Sequence, residues 1–114
     1  MDAGKLKERI IIQKFENTID YEGFNTEGWV DYYKCWCAHN KVNEKEFYSA
    51  MSLQTENIVT FSVRYSEKIK TILDDPNVTK SYRVIYKGRE YDIKFINDIK
   101  NYHKYVDIKA ESIL

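Results

Sequence analysis

Cys35, Cys37 and His39 are the residues whose types and spacing most suggest chemistry, because they alternate along one short segment. Cysteine and histidine are the usual ligands of structural zinc. Neighbours at i and i+2 lie about 6.6 to 6.8 Å apart on a strand, and no second Cys/His pair completes a tetrahedron. The other histidine is His103. We therefore expect no metal site, and we interpret the cysteines as reduced, small apolar side chains.

Catalytic arrangements are also missing from the sequence pattern. A hydrolase needs a nucleophile with an oriented base, whereas the serines lie in no glycine elbow and neither histidine has an obvious acidic partner. Four scattered glycines form neither a phosphate loop nor a dinucleotide fingerprint. The adjacent acids Asp74 and Asp75 are typical of a solvated turn. The sequence therefore predicts neither an enzyme nor a cofactor.

Length and composition indicate the broad class of protein. The 114 residues suit one domain spanning residues 1–114. Because 18 basic residues balance 18 acidic ones, no global positive field attracts nucleic acid. No run of about 18 apolar residues occurs, and Met1 is not followed by an apolar segment, so we expect neither a membrane span nor export. Ten tyrosines favour strands and protein interfaces.

The first half of the chain contains two strand patterns. Residues 9–15 are rich in β-branched side chains and predict a strand, while the polar residues 16–28 predict a long exposed loop. Residues 29–42 alternate and carry aromatic side chains on both faces. This pattern predicts a long strand that contacts protein on both sides.

A short helix is predicted next. Asn43 can cap a helix in which Glu46 reaches back to the cap, and apolar residues at helical spacing continue to about Gln54. Strict alternation over residues 57–65 then predicts a half-buried strand. Residues 66–81 contain a turn cluster, with a weak helical turn over residues 67–73.

The second half predicts a hairpin and a final strand. Residues 82–87 and 90–97 flank Gly88, which can adopt a positive φ, and residues 105–110 or slightly beyond form the last strand. The expected fold is mainly β: a small antiparallel barrel or sandwich of about six strands, with one short helix inserted between the second and third strands.

A small aromatic barrel also suggests a nucleic-acid-binding module of the oligonucleotide-binding type, in which exposed rings stack on bases within a basic groove. Basic and acidic residues are interspersed along nearly every strand, and no basic groove is evident. We keep this function as the alternative to a structural role.

The order of motifs resembles the head-closure, or head-tail adaptor, family of tailed phages and prophages. The similarity begins at residues 4–13 (GKLKERIIIQ) and continues through residues 21–24, the two tryptophans Trp29 and Trp36, and the capped segment after Asn43. It ends with residues 63–65 and 83–93 (RVIYKGREYDI). The sequence departs from the family pattern in its longer connection over residues 66–81 and in the cysteines that flank Trp36.

The resemblance implies a structural protein of the phage neck, made in the host cytoplasm, that forms a homo-oligomeric ring beneath the portal and adaptor rings. Such a protein retains packaged DNA, which is a channel neighbour without sequence-specific binding, and offers a docking face to the tail-end protein. We expect the excursion over residues 43–56 and the loop over residues 66–81 to rearrange in the ring. The candidate ring or gate contacts are Phe47, Tyr48, Met51, Leu53, Asp74 and Asp75.

Overall fold

The computed structural model describes residues 6–41, 58–99 and 102–113. Its six strands are β1 (Glu8–Ile19), β2 (Asn25–Lys41), β3 (Ile58–Arg64), β4 (Tyr82–Tyr86), β5 (Arg89–Asp98) and β6 (Tyr105–Ser112). Two short helices, α1 (Glu67–Leu73) and α2 (Val78–Ser81), lie between β3 and β4. This content confirms the mainly β fold. No helix in these described ranges is long and apolar enough to cross a membrane.

The strands form one closed barrel in the order β1-β2-β3-β6-β5-β4, and every neighbouring pair is antiparallel. Closure removes the exposed sheet edges that an open sheet of this size would carry. The small antiparallel fold of about six strands is therefore confirmed, and of the two forms that the sequence left open, barrel and sandwich, the structure has the barrel.

Side chains that alternate along the strands fill the barrel interior. Phe61 of β3 and Tyr82 of β4 are among the largest fully buried side chains, together with isoleucines and valines from the other strands. The expectation that β3 is half-buried is wrong, since all of its residues from Ile58 to Val63 are buried. On its outer face, the Ser62 hydroxyl donates a 2.5 Å hydrogen bond to Asp107 of β6.

The connection between β3 and β4 crosses one end of the barrel, because these strands lie on opposite sides of the ring. Ser66 caps α1 by accepting a hydrogen bond from the Ile69 amide. Ile69 and Ile72 are fully buried and belong to the core. The weak helical turn predicted for residues 67–73 is a formed helix, and it contributes two side chains to the core.

The β4–β5 hairpin has the turn that the sequence predicts. Lys87 and Gly88 both adopt positive φ, 51° and 76°, so that the turn twists in the same sense as its strands. The helix predicted between β2 and β3 falls on residues outside the described ranges, as do Phe47, Tyr48, Met51 and Leu53.

The predicted exposed loop over residues 16–28 is instead a strand hairpin. β1 and β2 pair from Glu8 and Cys37 out to Ile19 and Asn25, whereas β4 pairs with β1 only between Ile11 and Lys14. Residues 15–19 and 25–29, joined by a turn at residues 20–24, thus form a two-stranded ribbon that we call the arm. The arm extends past the barrel at the end where the β3–β4 connection lies.

Candidate functional site

The arm carries apolar side chains that the barrel does not cover. Tyr21 is fully exposed, and Ile19 and Phe24 are 71% and 64% exposed. Residues 16–28 include four acids, at positions 16, 20, 22 and 27, and no lysine or arginine. The arm is therefore an acidic surface with exposed apolar side chains, and neighbouring exposed apolar side chains are typical of interaction sites.

The tip of the arm is held by its own hydrogen bonds. Asp20 Oδ1 accepts from the Glu22 and Phe24 amides at 2.9 and 3.0 Å, and the Asp20 amide donates to the Phe24 carbonyl. Gly23 has a φ of +87°, which a residue with a side chain adopts only with strain. The tip consequently presents its side chains in a defined geometry.

The base of the arm is clamped to the barrel. Phe15 and Trp29 pack edge to face across the ribbon, with 5.3 Å between ring centroids. The Arg83 guanidinium of β4 lies over Trp29, and its Nε donates to Gln13 Oε1 at 2.8 Å. The arm is therefore fixed to β4 as well as to its own partner strand.

A groove opens where β2 continues past its last pair with β3, Cys37 with Val63. We call it the β2 groove; its volume is about 460 Å³ and its lining comprises Leu6, Arg9, Tyr33, Lys34, Cys35, Trp36 and Arg64. Trp36 is 53% exposed, and the Arg9 guanidinium lies 4.9 Å from its ring centroid. Within the described ranges, no ion pair joins Arg9, Lys34 or Arg64 to an acid. This group of three cations was not evident from the sequence, because they come from three different strands.

Cys35, Cys37 and His39 do share the inner side of β2, as the alternation indicates. Burial raises the pKa of Cys35 to about 11 and that of Cys37 to about 12. The His39 ring stacks on Tyr86, with centroids 4.7 Å apart. No group of three or more potential metal ligands occurs among the described residues. The two thiols are protonated at neutral pH and act as packing groups.

His103 has an acidic partner that sequence reasoning missed. Its Nδ1 lies 2.5 Å from Asp98 Oδ2, and its amide donates to Asp98 Oδ1 at 3.1 Å. A φ of 56° at His103 turns the chain back toward Asp98. The adjacent groove is lined, among the described residues, by no serine, threonine or cysteine that this pair could activate. The pair therefore stabilises the β5–β6 connection by joining its two ends.

Asp74 and Asp75 have local partners in the β3–β4 connection. Asp74 pairs with Lys70 at 2.8 Å, and this pair raises the pKa of Lys70. Asp75 Oδ1 accepts from the Asn77 amide at 2.8 Å. As possible ring contacts the two acids stay a proposal, and the structure does not join them to the arm or to the β2 groove.

Neither the arm nor the β2 groove could be predicted from the sequence, because neither produces a local sequence pattern. The β2 groove draws its cations from β1, β2 and β3, and the arm has no buried face that would produce an apolar alternation. Only the cysteines that flank Trp36, which depart from the family pattern, pointed to this part of β2.

Known structures with the same fold extend over almost the whole chain. The solution structure of protein SF1141 from Shigella flexneri 2a is 24% identical, covers 98% of this chain and 96% of its own, and superposes with a TM-score of 0.68. A chain in the virion of a native gene transfer agent particle is 14% identical, with 95% and 96% coverage and a TM-score of 0.54. No curated protein sequence matches the chain.

The family comparison covers nearly the full length. The model of the phage head completion proteins matches residues 1–113, which confirms the resemblance drawn from the motifs. The chain belongs to the family of phage head completion proteins.

Proposed function

We propose that this structural protein of the phage head and neck forms a ring beneath the portal and its adaptor ring, retains packaged DNA and offers the tail-end protein its docking surface. Family membership supports the head and neck role. The arm supports contact with other virion proteins, because three large apolar side chains are exposed at its tip. A neighbouring virion protein that covers these side chains would remove their apolar area from water.

A ring requires two different faces of one subunit to meet. The arm and the barrel wall are different in shape and charge, and the arm extends beyond the barrel, so that a neighbouring subunit can reach it. The net charge of zero means that DNA is retained by obstruction rather than by attraction. We place the obstructing contacts in the excursion that bears Phe47, Tyr48, Met51 and Leu53.

The test is complementation in the phage or prophage that encodes the chain. Without the protein, we expect filled heads that lose DNA and lack tails, and the wild-type gene restores them. Phe47→Ser should impair DNA retention while the isolated protein still folds. Particles that keep DNA and acquire tails without this protein would contradict the proposal.

Nucleic-acid binding by the β2 groove is the second candidate, favoured by its three cations and exposed Trp36. We expect only weak binding to oligonucleotides at physiological salt, since three cations release few counterions. A sub-micromolar affinity with a steep salt dependence would favour this candidate over the structural role.

A further inference from the structure

We propose that the arm of one subunit docks in the β2 groove of a second copy of the chain, and that this head-to-tail contact builds the ring. That the contact closes a ring rests on the proposed function. The contact itself is inferred from two surfaces of the isolated chain, the arm and the β2 groove. One surface is acidic and carries exposed apolar side chains, and the other is basic and aromatic.

Charge complementarity is the first argument. The arm carries Glu22 and Glu27 on exposed positions and no cation between residues 16 and 28. The β2 groove brings Arg9, Lys34 and Arg64 together, and none of them forms an ion pair within the described part of the chain. Since the two charge sets are opposite and unmatched, each surface supplies what the other lacks.

Side-chain type is the second argument. Tyr21 and Phe24 at the arm tip are large and exposed, and Trp36 in the β2 groove is exposed as well. Aromatic side chains pack against each other and against guanidinium groups, as Arg9 and Trp36 already do within the groove. The contact would therefore bury apolar area and pair charges at the same time.

Geometry excludes the same contact within one chain. Asn25 and Lys34 both lie on β2, nine residues apart, which is roughly 30 Å of extended strand. A paired ribbon cannot fold back over that distance, so a subunit cannot place its arm tip in its own groove. A contact between different faces of identical chains propagates, and it closes into a ring when the rotation allows.

The test uses complementary variants of the full chain. Lys34→Glu/Arg64→Glu disables the groove, and Glu22→Lys/Glu27→Lys disables the arm. Lys87→Glu/Arg89→Glu is the control, because it makes the same charge change as the groove variant at exposed positions of the β4–β5 turn, which does not line the groove. Circular dichroism and urea unfolding establish that each variant is folded, and sedimentation velocity measures association.

We expect the wild type and the control to associate with rising concentration at low salt and to dissociate in 1 M salt, as expected for screened charges. Each disabled variant alone should stay monomeric. Their equimolar mixture should associate as the wild type does, because each intact arm meets an intact groove and each reversed arm meets a reversed groove. A chain with all four reversals should associate again.

Three results would overturn the contact. The wild type could stay monomeric at several hundred micromolar in low salt, or the mixture could stay monomeric while the wild type associates. Alternatively, the wild type could bind a single-stranded oligonucleotide, the groove variant could fail to bind it, and the mixture could stay monomeric. Together these results would assign the groove to nucleic acid. A ring seen in particles without this contact would leave the proposed function intact.

Discussion

Arg83 and Trp29 connect the barrel to its arm: the guanidinium of Arg83 lies 4.6 Å from the centroid of the Trp29 ring. The same guanidinium group bonds Gln13 and pairs with Glu90 at 3.3 Å, so one side chain of β4 contacts β1, β2 and β5. An arginine with its side chain mostly covered can hold several such contacts at once because its donors are arranged in a fixed planar fork.

Arg83→Ala should therefore lower the free energy of unfolding by about 1–2 kcal/mol, from a lost cation–π contact and a lost hydrogen bond. Arg83→Lys should recover part of it, since ammonium keeps the charge without the planar fork. Urea unfolding measures both values. Arg89→Ala, at an exposed position of the same hairpin, is the control and should change stability by less than about 0.5 kcal/mol.

Ile72→Ala should destabilise the protein by roughly 2–5 kcal/mol, because its side chain is fully buried in the core. In the wild-type protein, amide hydrogen exchange at Ile72 should be as slow as in the barrel strands. Thr71→Ala, on the exposed side of α1, is the matched control and should cost far less. A small loss of stability in Ile72→Ala together with fast exchange at Ile72 would mean that this connection is only loosely packed on the barrel.

The parts of the fold that sequence reasoning predicted are those with a local signal. Gly88 with its flanking β-rich runs identified the β4–β5 hairpin, and the weak helical pattern over residues 67–73 is a helix in the structure. The arm was missed because Phe15 packs on Trp29, fourteen residues away, and no local pattern reports this pairing. The alternating pattern puts Ser62 on the polar face of β3, whereas in the structure Ser62 is buried and bonds Asp107 of the neighbouring strand β6.

The thiols should make stability depend on pH in the alkaline range. Burial raises the pKa values of Cys35 and Cys37 to about 11 and 12, whereas unfolded thiols ionise near about 8.5. Between these values the folded state binds more protons than the unfolded state, so stability is lost as pH rises through this window. Urea unfolding from pH 8 to 10 should show the decline, and Cys35→Ala/Cys37→Ala should flatten it.

The same burial should slow thiol chemistry. At pH 8 about one Cys35 side chain in a thousand is thiolate, so a chromogenic disulfide reagent should react slowly with the folded protein. In urea the reaction should become fast. A folded protein that reacts at the unfolded rate would show that both thiols are accessible.

Asp20→Ala should loosen the arm without unfolding the barrel. The substitution removes the acceptor of the Glu22 and Phe24 amides, but these amides are exposed and can bond water, so the loss is confined to the tip. Because residues 15–29 pair only with each other, global stability should change by less than about 1 kcal/mol, while amide exchange in the tip becomes faster.

Asp20→Asn separates turn geometry from charge, since the amide oxygen can still accept both hydrogen bonds. If the arm is a preorganised contact, Asp20→Ala should reduce self-association and particle assembly, and Asp20→Asn should retain most of both. The Asp20 carboxylate accepts hydrogen bonds from the Glu22 and Phe24 amides of the same turn, so loss of its charge alone should have little effect on the contact between subunits. Equal defects in the two variants would instead mean that the charge acts directly, and a large global loss of stability in Asp20→Ala would mean that the arm is a cooperative part of the barrel.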